Sequence, residues 1–148
     1  MKTKIKLLDK EFELKSKLKE EGVKFPFTDE KDNTLHNKFT ISISRIIDNK
    51  KTTRRFYFYD SQDNYEKGIK DLNEETLKWA FRSILEDGLS ATEDFGDFCS
   101  EFGYSTDSIR VSEIYKACQK TLEKLNFLGI FESELSDMLE ELSKMGIE

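Results

Sequence analysis

Two groups of residues have types and spacings that could do chemistry. The first is acidic: Glu93, Asp94, Asp97, Glu101 and Asp107 crowd one short stretch, and Glu93, Asp97 and Glu101 recur at every fourth position. On a helix that spacing stacks three carboxylates along one face. Such a stack could hold a hard divalent cation through oxygen ligands. It could also present a negative surface that competes with a phosphate backbone for a positively charged channel. Repelling, solvated carboxylates are the more ordinary state of such a helix, so no metal is expected here. The five are read as a partner-binding surface. The second group is basic: Lys50, Lys51, Arg54 and Arg55 lie beside Tyr57 in a run ending RRFYFYD. Cations that follow a phosphate backbone next to rings that stack on bases are the chemistry of single-strand binders. The same residues also protect an exposed strand edge from pairing with another chain.

Little else suggests a reaction. GxxxxGK[ST], GxGxxG, GxSxG and HExxH patterns are absent. A Ser or Cys nucleophile would need the single histidine, His36, as its base, and His36 falls in the polar run Thr28 to Asn37, which reads as a loop. Cys99 and Cys118 have no CxxC spacing. With His36 they fall one short of a four-ligand zinc site, so both read as buried, reduced core residues. The expectation is a non-enzymatic protein with no cofactor.

The elements that must position these groups read as α+β within one domain over residues 1–148, with a helix and hairpin to about residue 61 and a helical part over about 70–146. Ile5, Leu8 and Phe12, flanked by Leu7, Leu14 and Leu18, predict an N-terminal helix from Lys2 to about Glu21, stopped at Gly22. Val23 to Phe27 could add a short edge strand. Phe39, Ile41 and Ile43 alternate with Thr40, Ser42 and Ser44, and Arg54 to Asp60 is aromatic and strand-favouring. With a turn over Asp48 to Lys51 they predict a hairpin, in a small antiparallel sheet of two or three strands.

About four helices follow. Asn73 caps the first, which carries Leu77, Ala80, Phe81, Ile84 and Leu85 and ends at Asp87 and Gly88; Trp79 either widens its core face, the favoured reading, or lies partly exposed at an interface. Ser90 and Glu93 form a capping box for the Phe95 to Phe102 helix, which Gly103 ends. Thr106 or Asp107 caps the next helix, and Ser133 the last.

Charge is divided unevenly. Residues 1–70 carry 17 Lys/Arg and 12 Asp/Glu, whereas residues 71–148 carry 7 and 18, within a net charge of −6. The division points to two differently charged faces. No run of apolar residues is long enough to span a membrane, and charges interrupt the lysine-rich start, so no signal segment is read there. The expected location is cytoplasmic.

The segment FCSEFGYSTDS (Phe98 to Ser108), followed by EIYKACQK (Glu113 to Lys120) and preceded by Tyr59, Asp60 and Ser61 at the end of an aromatic strand, resembles a family of small proteins encoded by phages, prophages and mobile elements. Members carry an FCxEFGYDxDS segment and an IYKAV-like helix. This chain departs from the pattern at Ser105 and over Ile109 to Val111. The resemblance covers roughly Phe39 to Leu128 and implies a phage or mobile-element setting inside a bacterial cell, without supplying a reaction. Together with the acidic stretch it leads to the expected function: an accessory protein that binds and inhibits a host-defence protein, with an anti-CRISPR acting on a CRISPR effector as the sharpest form. The alternative is a nucleic-acid-binding protein that uses the basic hairpin.

Overall fold

A computed structural model describes residues 1–27, 31–103 and 105–148. The chain forms four strands, β1 (Lys2–Leu7), β2 (Lys10–Val23), β3 (His36–Ile47) and β4 (Lys50–Tyr59). Helices α1 (Gln62–Glu66), α2 (Glu74–Ser90), α3 (Phe95–Phe102), α4 (Ile109–Phe127) and α5 (Glu132–Lys144) follow. It divides into two compact units, Met1–Phe81 and Arg82–Glu148, with the boundary inside α2.

The first unit is built on an antiparallel meander in the order β1-β2-β3-β4. This corrects the predicted N-terminal helix and the smaller sheet. Lys2, Lys4 and Lys6, then Lys15, Lys17 and Lys19, occupy every second position, with Ile5 and Leu7, then Leu14 and Ser16, between them. That period of two puts all the lysines on one face of a strand and the buried residues on the other. A helix would have wrapped both sets around its circumference. The turn between β1 and β2 is Leu8–Asp9, with φ of 49° and 62°. Both residues are left-handed without a glycine, so the usual Asn-Gly or Asp-Gly sign of a two-residue hairpin is missing.

Gly22, read as a helix stop, has φ +64°, and a Cβ there would lie 2.9 Å from the Tyr65 hydroxyl. It lets α1 approach the irregular end of β2, where the register with β3 shifts. Of the predicted Val23 to Phe27 strand only Val23 is in a strand, at the end of β2. The predicted β3–β4 hairpin forms, but its turn is the pair Asp48–Asn49, with φ of 50° and 65°, and Lys50 and Lys51 already belong to β4. Part of the predicted polar loop, residues 28–30, lies outside the described residues. His36 and Asn37 belong to β3 and not to a loop.

The inner face of the sheet carries Ile5, Phe12, Leu14, Phe39, Ile41, Ile43 and Phe56, all buried. The first half of α2 covers it with Leu77, Ala80 and Phe81, and the Phe12 and Phe81 rings meet at 5.5 Å. Each such side chain contributes ~1.5–3 kcal/mol by leaving water. Asn73 caps α2 as predicted, accepting from the Thr76 amide at 2.8 Å.

In the second unit α2 runs on to Ser90, past the predicted stop. Gly88 is there for packing: a Cβ would lie 2.6 Å from Leu125 Cδ1. Asp94, not Ser90, caps α3, accepting from the Asp97 amide at 2.8 Å, and Ser90 instead donates to the Glu86 carbonyl. Gly103 ends α3 in the left-handed conformation as predicted. Ser108 caps α4, one residue beyond the predicted caps. At α5 the N-cap is Phe131, whose amide donates to Glu134, and not Ser133. Phe98, Cys99 and Val111 form a small core with Phe95, Ile114 and Tyr115 packed on it. Arg82 Nη1 donates to the Leu139 and Ile147 carbonyls and to the Ser143 hydroxyl at 3.1–3.2 Å, closing the C-terminal end of α5. Among the described residues no helix is long and apolar enough to cross a membrane.

Candidate nucleic-acid interface

The alternation that buries one face of the sheet exposes the other. Register places Lys2 opposite Lys15, Lys15 opposite Ser42 and Ser42 opposite Arg55, a rung that crosses all four strands. At ~4.7–4.9 Å per strand it is about 14 Å long. The next rung is Lys17, Thr40 and Tyr57, and beyond it Lys38 faces Tyr59. Lys15, Lys17, Lys19 and Arg55 line a groove of about 490 Å³ floored by Thr40 and Ser42.

Tyr57 is half exposed at the edge of the groove, with Lys38 Nζ 4.2 Å and Lys19 Nζ 5.4 Å from its ring centroid. Tyr59 continues the aromatic surface, and Phe25 meets its ring edge-on at 5.2 Å. Among the described residues no carboxylate forms an ion pair with Lys15, Lys17, Lys19 or Lys38. Lys2, opposite Lys15, is paired with Glu13 at 3.6 Å.

The predicted basic-hairpin residues do not act together. Arg55 and Tyr57 share the outer face, two residues apart. Arg54 opposes Ile43 on the inner face and donates to the Thr53 carbonyl at 2.9 Å. Lys51 is held by Glu13 at 3.2 Å, and that hydrogen bond keeps the Glu13 carboxyl below its ordinary value. Lys50 sits beside the turn, opposite Ile47. The structure adds Lys15, Lys17, Lys19, Lys38 and Tyr59, which sequence reasoning missed. The lysine alternation from Lys2 to Lys19 is the signal that could have found them. A neighbouring groove lined by Lys4, Glu11, Glu13 and Lys51 is already neutralised from within by Lys4–Glu11 and Lys51–Glu13 pairs.

The acidic candidates lie in the second unit. Asp94 caps α3, Asp97 is in its first turn, and Glu101 is near its end. A hydrogen bond to Glu101, partial burial and the charges of Glu101, Asp97 and Asp94 push the Glu93 carboxyl above its ordinary value. Asp107 is exposed in the turn before α4. Among the described residues no three His, Cys, Asp or Glu side chains converge to hold a metal ion. Cys99 and Cys118 are buried free thiols. Burial, helped by the charge of Asp87, pushes the Cys118 thiol up to about 12, so it stays protonated and is not a nucleophile.

Trp79, expected in the core, is 46 % exposed and meets Phe58 edge-on at 6.3 Å. No protein-family model, curated protein or solved structure matches the chain.

Proposed function

We propose that the chain binds single-stranded nucleic acid on the outer face of its sheet. The observation that carries this reading is the cationic groove of Lys15, Lys17, Lys19 and Arg55 beside the half-exposed Tyr57 ring. Cations in that number suit a phosphate backbone, and an exposed ring beside them suits a base of any sequence, because every base has a π-face. The lysines now over Tyr57 hold it by cation–π attraction worth ~0.5–1 kcal/mol at an exposed site, so phosphate competes well for them. An open sheet face also accepts unpaired bases without the groove-reading helix that duplex recognition uses.

The test is fluorescence anisotropy with labelled oligo-uridine and oligo-thymidine of about twelve nucleotides, within the usual range of site sizes. Tyr57→Ala removes one stacking partner and weakens binding by about 5- to 150-fold. Failure of the wild-type chain to bind either strand, or unchanged binding by a Lys15→Gln, Lys17→Gln, Arg55→Gln variant, would overturn the proposal.

A second reading is an inhibitor that offers α3 and its flanks to a basic surface of a host-defence protein such as a CRISPR effector. It is favoured by the crowding of Glu93, Asp94, Asp97 and Glu101, where a hydrogen bond to Glu101 and the neighbouring charges push the Glu93 carboxyl up and a cationic partner would draw it down. Reversing three of those charges tests it: a captured effector that still binds the reversed variant removes this reading.

A further inference from the structure

A second cavity, of about 430 Å³, opens at the end of β4, and its chemistry is the opposite of the groove's. That volume lies in the range of ~300–1,000 Å³ common for small-ligand sites. Phe58, Tyr59 and Trp79 give it aromatic walls, while Asp60, Glu75 and His36 give it polar groups. Asp60 is 2 % exposed. Its Oδ1 accepts from the Ser61 amide at 2.9 Å and from Asn64 Nδ2 at 3.0 Å. Its Oδ2 is buried and has no hydrogen-bond partner among the described residues. A buried acceptor left in that state costs ~1–3 kcal/mol or more when charged, which a ligand donor would recover. His36 Nδ1 lies 2.6 Å from the Asp60 carbonyl, and since a carbonyl only accepts, that nitrogen carries the proton. In that tautomer Nε2 is left as a further acceptor. The site combines flat aromatic walls with acceptors, and among the described residues no lysine or arginine lines it.

We infer that this cavity takes a guanine base of the bound strand. The inference rests on the nucleic-acid reading above and deepens it. Guanine's Watson–Crick edge presents two adjacent donors, N1–H and the exocyclic amine, where adenine and cytosine present an amine next to an acceptor. An acceptor-rich pocket with an unpartnered carboxylate oxygen therefore selects guanine. A guanidinium from a protein partner would satisfy the same acceptors, but charge argues against it. Tyr59 belongs both to this cavity and to the outer face, where Lys38 Nζ is 5.8 Å from its ring centroid. A nucleotide brings phosphate to that ammonium, whereas a cationic peptide brings like charge.

Trp79 is the chain's single tryptophan, so its fluorescence reports on this cavity alone. Titration with guanosine monophosphate is expected to quench it, and the other three ribonucleotides to do so at about tenfold higher concentration or more. An oligo-uridine carrying one guanosine should bind about tenfold more tightly than oligo-uridine itself. Asp60→Asn keeps the Oδ1 acceptor that Ser61 and Asn64 use but turns the free oxygen into a donor. It should abolish the guanosine preference while leaving oligo-uridine affinity intact. Glu75→Gln, at an exposed site in the first turn of α2, provides a second variant that should keep the fold, and it should reduce the preference. Equal quenching by all four nucleotides, or quenching by arginine amide and not by guanosine monophosphate, would overturn the guanine assignment with oligo-uridine binding untouched. Loss of oligo-uridine binding with guanosine quenching retained would instead remove the sheet-face reading and leave the pocket.

Discussion

Neutralising the sheet groove should change the salt dependence of binding by a calculable amount. Five cations of the outer face, Lys15, Lys17, Lys19, Arg55 and Lys38, stand around Tyr57 or line the groove beside it. Each phosphate neutralised on a single strand contributes about −0.7 to the slope of log K against log salt. If each cation meets one phosphate, the wild-type slope is about −3.5, and raising salt from about 50 to 200 mM weakens binding by about 130-fold. The variant Lys15→Gln, Lys17→Gln, Arg55→Gln keeps two of the five. Its slope should be about −1.4, a loss of only about sevenfold over the same interval. Anisotropy titrations at four or five salt concentrations give both slopes. All three substituted side chains are exposed, so the variant should retain the wild-type fold, checked by circular dichroism. A wild-type slope near zero would refute the phosphate role of the face. Equal slopes in the two proteins would place the contacts elsewhere.

Four other perturbations test the fold and the second unit. Gly88→Ala should destabilise by about 1 kcal/mol in urea unfolding: overpacking against Leu125 costs ~1–3 kcal/mol, and the better helix former returns only ~1 kcal/mol. A raised urea midpoint would contradict the packing role of this glycine. Arg82→Ala should cost about 2 kcal/mol by removing the donor to two carbonyls and a hydroxyl at the end of α5, read as faster amide exchange there. Neither cysteine should react with iodoacetamide at about pH 8 in the folded chain, and both should react in urea, because Cys99 is buried and the Cys118 thiol is pushed up to about 12. Glu93 has a folded pKa raised above its unfolded value, so its contribution to stability is fully present below the ordinary glutamate value of 4.5 and is lost as pH rises through the folded one. Glu93→Gln should therefore unfold at higher urea than the wild type at neutral pH, and the difference should vanish in acid.

The β3–β4 hairpin, the cap at Asn73 and the stop at Gly103 were legible because each depends on neighbours in sequence. The first hairpin was not. Its apolar residues satisfy helical spacing through Ile5, Leu8 and Phe12 as well as strand spacing through Ile5 and Leu7, and the Leu8–Asp9 turn carries no glycine. The lysines at every second position were the discriminating signal, since a helix would have scattered them. The cationic face was half legible for the same reason. Arg55 and Tyr57 lie on a strand that could be read, whereas Lys15, Lys17 and Lys19 lie on one that was read as a helix. Arg54 and Arg55 look equivalent in sequence, and only the pleat separates them. The pocket at Asp60 depends on β4, α2 and the start of β3 converging, a relation among distant residues that no local pattern carries.

The meander also fixes how the sheet can assemble in time. Each strand pairs with its neighbour in the chain, and two of the three connections are two-residue turns, Leu8–Asp9 and Asp48–Asn49. Loop closure across so few residues sacrifices little chain entropy, so both hairpins can zip from their turns on the ~1–10 μs scale of isolated hairpins. The seam between β2 and β3, bridged by residues 24–35, must wait for the two ribbons to meet. That seam carries Leu14 against Ile43 and Ser16 against Ile41, and it also brings Lys15 and Lys17 of one ribbon onto the face of Arg55 and Tyr57 of the other, across Ser42 and Thr40. The cationic groove therefore forms only when the two ribbons meet.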